Sequence, residues 1–371
     1  MSVNPKSACL PRAAAIVLAV LVPCTSIAQS AGGPAQENVK HVPAFDLPLS
    51  SLLDPRDRDF IVAYEARREE TKAKFKAEYS DCMRRAGLNP EQSGNSACVA
   101  YAGTRLPLYL ALRERFPVNV SLETIAGIPV EIFEPRAGID RRNRNRVLIN
   151  LHGGGFTGGS RISSHLESIP IAALGRYRVV SIDYRYAPEV KFPAASKDVA
   201  AIYRELLKRY KPANIGIFGC SAGGLLTAET VAWLDRHKIP LPGAVAISGA
   251  GAGYYQDGDS IRFSAARDGW SPEGIAGNPY FGSQTINDPL AFPLQSDAIM
   301  RRFPPSLFLT ATRDLGMSSA VKSHQTLTRL GRETDLHVWE GLGHCFANVM
   351  QPAADEYWAV TVNFFNKHLG K

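Results

Sequence analysis

The 371-residue chain predicts an α/β protein built on a mostly parallel central sheet with helices on both faces. Two observations predict it. Short apolar runs recur through the C-terminal two-thirds, at Leu148–Leu151, Ile215–Phe218, Ala244–Ser248 and Ser306–Asp314, and they alternate with longer stretches of helical character. That alternation is the mark of parallel strands joined by right-handed crossovers. The composition, 45% hydrophobic and 21% charged, is that of a globular protein with ample length for a large core.

The elements follow in order. Lys6 and Arg12 precede the uninterrupted apolar run Ala13–Val22, and the small residues Thr25-Ser26-Ile27-Ala28 follow Pro23. Residues 1–28 therefore read as a secretory signal, too short for a membrane span. The expectation is a secreted or periplasmic protein, without a stable membrane anchor, after cleavage near Ala28. The remaining 343 residues carry a formal charge of +5 rather than +7. Residues 29–44 are small and polar, a flexible leader. Asp54-Pro55 resembles an N-cap with proline at the first helical position. The stretch that follows to Tyr79, with Phe60, Ile61, Tyr64, Phe75 and Tyr79 among many charges, predicts a long amphipathic helix. A second helix includes Leu106–Leu112. Residues 124–133 read as a hairpin opening the sheet, and from Val118 the chain is one α/β domain. Residues 252–298 interrupt its alternation. The densest basic cluster, Arg141-Arg142-Asn143-Arg144-Asn145-Arg146, falls in a turn and reads as solvated. No fold motif or aromatic-basic interleaving points to nucleic acid, and no metal-ligand cluster or repeat is present. No cofactor is expected.

The chemistry concentrates at strand ends. Gly219-Cys220-Ser221-Ala222-Gly223 lies between the apolar run 215–218 and a helix-forming stretch. A serine held between small residues on a strand-to-helix turn is presented to substrate with free helix N–H groups behind it. Side chains at 219 and 223 would collide with the neighbouring strand and helix. His152-Gly153-Gly154-Gly155 ends another apolar run, 69 residues before Ser221. Its glycines let backbone amides approach a developing oxyanion. The expected donors are the amides of Gly154, Gly155 and Ala222. A serine needs a base, and the base an orienting acid, in the chain order serine, acid, histidine. Asp314 closes the strand from Ser306, and His344 follows the last strand between small residues. His324, His337, His368 and Asp335 sit at positions better suited to a helix, a strand, the C-terminal end and a turn.

Together with Asp183-Tyr184-Arg185-Tyr186-Ala187-Pro188-Glu189 and Phe192-Pro193-Ala194-Ala195, these motifs make the chain from about Val118 resemble the hormone-sensitive-lipase-like family of α/β-hydrolase esterases. The resemblance implies an α/β-hydrolase fold with a helical cap, formed by residues 45–117 and the insertion 252–298 of the catalytic domain 118–371. It implies the triad Ser221, Asp314 and His344 and the oxyanion donors named above. Asp183 would brace the His152 loop or be a simple surface turn. The chain departs from the family at Cys220, where Asp or Thr is usual, and at Cys345 after the base. Residues flanking a triad serine and histidine are necessarily close, so these cysteines either form a disulfide or serve as two small buried hydrophobes. The order Cys-Ser…Asp…His-Cys is similar to tannase and feruloyl esterases, where the cysteines are bridged. Cys9 and Cys24 leave with the signal, and the even remainder makes Cys82 and Cys98 the other candidate pair.

The reading is a serine carboxylesterase acting on small to medium carboxylic esters through an acyl-serine. A lactonase, thioesterase or feruloyl-type aromatic esterase would use the same triad, and a binding protein on a hydrolase scaffold is the non-enzymatic alternative. The partner is a small-molecule ester; the sequence does not give the oligomeric state. Tyr254, Tyr255, Trp270, Tyr280, Phe281 and Phe292 line an acyl or aryl pocket, or form the insertion's own core.

Overall fold

The computed structural model describes residues 45–66, 106–161, 163–254, 257–269, 278–282, 285, 287–349 and 351–371. The chain divides into two compact units, Met1–Asp46 and Leu47–Lys371, and all that follows concerns the second. The expected signal and leader, residues 67–79 of the first helix, Cys82, Cys98, Tyr255 and Trp270 lie outside the described residues.

Helical residues 55–66 (α1) begin at Pro55, and Asp54 receives the N–H of Arg56 at 2.8 Å in the manner of a cap. Leu106–Arg115 (α2) leads into the hairpin β1 (Val118–Ile125) and β2 (Ile128–Pro135), which pair antiparallel. Its two-residue turn, Ala126-Gly127, has φ of 53° and 78°. Positive φ at both central residues is the primed geometry that matches strand twist.

After the hairpin the chain alternates: β3 (Val147–Leu151), α3 (Ser163–Gly175), β4 (Arg178–Ile182), α4 (Ala194–Leu207), β5 (Ile215–Cys220), α5 (Ala222–Arg236) and β6 (Ala244–Ser248). Then come α6 (Asp259–Asp268), the single turn α7 (Asp297–Met300), β7 (Ser306–Arg313), α8 (Met317–Arg329), β8 (Thr334–Gly343) and α9 (Ala354–His368). The eight strands lie in the order β1-β2-β4-β3-β5-β6-β7-β8, parallel from β4 onward.

Both faces are covered, which is why β3, β5 and β6 are buried at every residue and read as continuous apolar runs. Alternate residues of one strand enter separate cores. Ile149, Ile217 and Val245 pack with Val199, Leu226 and Leu327 from α4, α5 and α8. Leu148, Phe218 and Leu307 pack with Ile169, Trp358 and Phe365 from α3 and α9. Parallel strands deliver their C-terminal ends to one edge of the sheet, where open α/β sheets place their ligands. Ser221, Asp314, His344 and the His152 loop all follow such ends.

Among the described aromatics between β6 and β7, the reading of a small core of the insertion's own gives way to packing in the main core. Tyr280, Phe281 and Phe292 are buried in the main core. Tyr280 stacks on Phe156 with ring centroids 4.6 Å apart, and Phe281 meets Phe156 edge-on at 5.1 Å. They pack the segment against the His152 loop.

Candidate active site

Ser221 sits at φ 59°, ψ −123°, outside the regions that L-residues favour. Two features hold it there. Its N–H donates to Ser248 O at 2.9 Å, and the turn is pressed against β3. A Cβ at Gly223 would lie 1.7 Å from Leu151 O, and one at Gly219 2.2 Å from the same oxygen. Only glycine lets the elbow close this tightly. α5 starts at the next residue, so its unpaired N–H groups and positive dipole end lie behind the serine.

Three loops converge on the hydroxyl. Ser221 Oγ lies 2.8 Å from His344 Nε2, and His344 Nδ1 lies 2.7 Å from Asp314 Oδ1. With Nδ1–H donated to the carboxylate, Nε2 is left to accept the serine proton. Asp314 is fully enclosed. Burial pushes its carboxyl up, but the His344 ring, the N–H of Gly316 at 2.8 Å and the Thr310 hydroxyl at 3.0 Å outweigh this and hold it below the usual carboxylate range. Gly249, with φ 57°, leaves room for the histidine: a Cβ there would meet His344 Cε1 at 2.9 Å.

The glycine loop after β3 is fixed by its carbonyls. His152 is completely buried, and desolvation lowers its pKa to about 4, so the ring is neutral. Its Nδ1–H donates to Gly153 O at 2.9 Å, and Nε2 accepts the Ser160 hydroxyl at 3.2 Å. Thr157 donates to Gly154 O from its amide at 3.0 Å and its hydroxyl at 3.2 Å. In a trans peptide the C=O and the next N–H point opposite ways. Holding the carbonyls of Gly153 and Gly154 therefore aims the amides of Gly154 and Gly155. Among the described residues, none accepts from these two amides or from that of Ala222. Gly154 has φ 136°, and a Cβ there would lie 2.0 Å from Gly158 O, so no other residue fits.

Asp183 reaches this loop at its far end, accepting from Arg161 Nε at 3.1 Å, and burial raises its carboxyl to about 6. The adjacent Tyr184, unlike Asp183, touches His152 itself. Its ring stacks on the imidazole at 4.3 Å and its hydroxyl donates to His152 O at 2.6 Å. Asn278 Nδ2 donates to Gly155 O at 2.9 Å. Motif reading had no signal for this contact, which joins positions 123 residues apart. Cys220 and Cys345 form a disulfide, Cα atoms 6.3 Å apart, that ties the elbow to the loop carrying His344. Among the described residues, no group of three His, Cys, Asp or Glu side chains is placed to hold a metal ion.

A family model described as alpha/beta hydrolase fold matches residues 148–348, more than half of the chain. The chain belongs to the alpha/beta-hydrolase family. Within it, this hydrolase is 29% identical over 208 residues to an acetyl-hydrolase of Streptomyces hygroscopicus, covering 55% of the chain and 69% of the relative. Its structure is similar to the crystal structure of an esterase E25 at 26% identity, with a TM-score of 0.73 over 90% of this chain and all of that one. It is also similar to a crystal structure described as an esterase from the bacterial hormone-sensitive lipase family, at 26% identity and a TM-score of 0.63, covering 78% of this chain and 96% of that one. The resemblance carried by the motifs and the fold class it implied both hold. The hydrolase is a carboxylic-ester hydrolase.

Proposed function

We propose that the enzyme is a serine carboxylesterase acting on small to medium acyl esters through a covalent acyl-serine. The observation that carries this reading is the continuous relay from Ser221 Oγ through the His344 ring to Asp314, at 2.8 and 2.7 Å. In acylation Oγ attacks the ester carbonyl carbon as its proton passes to His344 Nε2. Asp314 stabilises the imidazolium, and the negative charge on the former carbonyl oxygen meets the amides of Gly154, Gly155 and Ala222. Collapse breaks the bond to the alcohol oxygen, which takes the proton from Nε2. Water then attacks the acyl carbon, giving a proton to His344, and the acid leaves as Ser221 regains its hydrogen. One lost amide donor would raise the barrier by about 3–4 kcal/mol. The acetyl group named for the Streptomyces relative supports short acyl chains. The helical segments of residues 45–117 and 252–298 act as the cap. Residues 1–28 direct export, and the Cys220–Cys345 bridge suits an oxidising compartment, where Cys82 and Cys98 pair as well.

The decisive experiment is fluorophosphonate labelling with peptide mapping, beside a panel of p-nitrophenyl esters of rising chain length. Labelling at Ser221, with turnover abolished in Ser221→Ala, is expected. A label on another serine, or turnover by Ser221→Ala, overturns the assignment.

A further inference from the structure

Glu167, in the second turn of α3, is a carboxylate that the mechanism above does not use, and it is buried. Its partners come from separate parts of the site. Oε1 accepts the Gly153 N–H at 3.0 Å, at the root of the glycine loop. Oε2 accepts from Asn150 Nδ2 on β3 at 2.9 Å. Asn348 Nδ2 donates to Oε1 at 3.5 Å from the short helical turn Phe346–Val349, which directly follows the His344 loop. Gly153 separates this carboxyl from the nucleophile. A Cβ placed on Gly153 would lie 3.5 Å from Glu167 Oε1, 3.5 Å from Ser221 Cβ and 3.0 Å from Cys220 O. One buried side chain thus joins the glycine loop and the base-bearing loop beneath the elbow.

We propose that Glu167 is a positioning residue whose ionised carboxylate holds the oxyanion amides and the His344 loop in register with Ser221. This rests on the reading of Ser221, His344 and the glycine amides given above. These partners, and the backbone N–H of Cys220 that also favours the charged form, are all donors, so the ionised form satisfies them and a protonated carboxyl places an O–H among N–H groups. Other ionisable groups near it are kept from competing. Tyr184 and Tyr357, from the strand-end loop after β4 and from α9, are held neutral by burial. Glu131 is engaged by Ser164 and His165 of the first turn of α3, each at 2.6 Å, and His344 and Asp314 are occupied by each other. Burial raises the Glu167 carboxyl to about 7, against the pull of its donors, so its charge changes across neutral pH.

The test compares wild type, Glu167→Gln and Asn348→Ala on p-nitrophenyl acetate across pH 5–9, with Ser221→Ala as control and thermal unfolding as the check on folding. Glutamine keeps the shape but turns an NH2 toward the Asn150 amide. A displacement of the donors by a fraction of an ångström to about 1 Å is expected to lower kcat about 10- to 100-fold, with KM within about twofold. The ratio of wild-type to Glu167→Gln kcat should fall toward one as pH drops through about 7, the value at which the native carboxyl takes up its proton. A merely structural defect would leave that ratio flat, and this result overturns the proposal. So does wild-type kcat in Glu167→Gln while Ser221→Ala is inactive, which leaves the esterase reading intact. Turnover by Ser221→Ala overturns both together. If Glu167→Gln does not fold, Asn348→Ala decides: reduced kcat at unchanged KM supports the proposal, and wild-type kcat overturns it.

Discussion

At Asp314, enclosure and solvation compete for one carboxyl, and the hydrogen-bond donors win. The His344 ring, Gly316 N–H and Thr310 hydroxyl hold the group ionised in a place where burial alone would neutralise it. Its charge then selects the histidine tautomer that leaves Nε2 open toward Ser221. Asp314→Asn retains the shape and loses that selection. Its kcat is expected to fall by about three to four orders of magnitude with little change in KM, measured by steady-state kinetics on p-nitrophenyl acetate. Among single residues, Ser221, Asp314, His344 and the glycines were legible because their chemistry demands particular residue types beside strand ends. Glu167 and Asn278 were not, and Tyr184 stood only inside the Asp183–Glu189 motif, without a role of its own. A glutamate on a helix or an asparagine in a loop is ordinary in sequence, and these acquire roles only from partners far along the chain.

The elements that carry these residues meet with almost no clearance. Gly223→Ala would drive a methyl group into Leu151 O, 1.7 Å away, with rigid backbone on both sides. The variant should lose at least about 1–3 kcal/mol in urea unfolding, and activity with it. Gly282→Ala is the contrast. Among the described residues no atom lies within 4 Å of a Cβ placed there, so stability should stay within about 0.5 kcal/mol of wild type. The Cys220–Cys345 bridge spans 125 residues and joins β5 to the loop beyond β8. Restricting the unfolded chain over that span is worth about 4–5 kcal/mol in the chain-entropy treatment. Because the bridge flanks both Ser221 and His344, mild reduction should abolish esterase activity while far-UV circular dichroism remains native. Full activity in the reduced protein, with both thiols titrated, would exclude a role for the bridge in the site.

Across the whole molecule, buried acids make stability depend on pH. Glu229 of α5 is fully enclosed; its Oε2 accepts from Ser196 at 3.1 Å, and Oε1 has no hydrogen-bond partner among the described residues. Desolvation raises its pKa well above the ordinary 4.5. Above that ordinary value the unfolded chain releases a proton that the folded protein retains, so the unfolded state binds fewer protons and stability falls as pH rises. Glu167, raised to about 7, and Asp183, raised to about 6, act in the same direction. His152, lowered to about 4, opposes them on the acid side, where the unfolded ring charges first and folding stability drops as pH falls below 6.5. Glu229→Gln removes one such contribution. The drop in melting temperature between pH 6 and pH 9 should be smaller in this variant than in wild type.

The alternation of strands and helices and the place of the nucleophile were determined by local chemistry. Continuous apolar runs mark strands buried on both faces, the pattern of a helix-covered parallel sheet, and Gly219 and Gly223 mark a turn that no bulkier residue can make. Tertiary structure alone decided which partners those residues would have. It turned the aromatics at 280, 281 and 292 into a wall behind the glycine loop, and it joined Asn278 to Gly155. It also set a lone carboxylate beneath Gly153. Such contacts depend on how elements pack in three dimensions, and that packing has no period or motif along the chain.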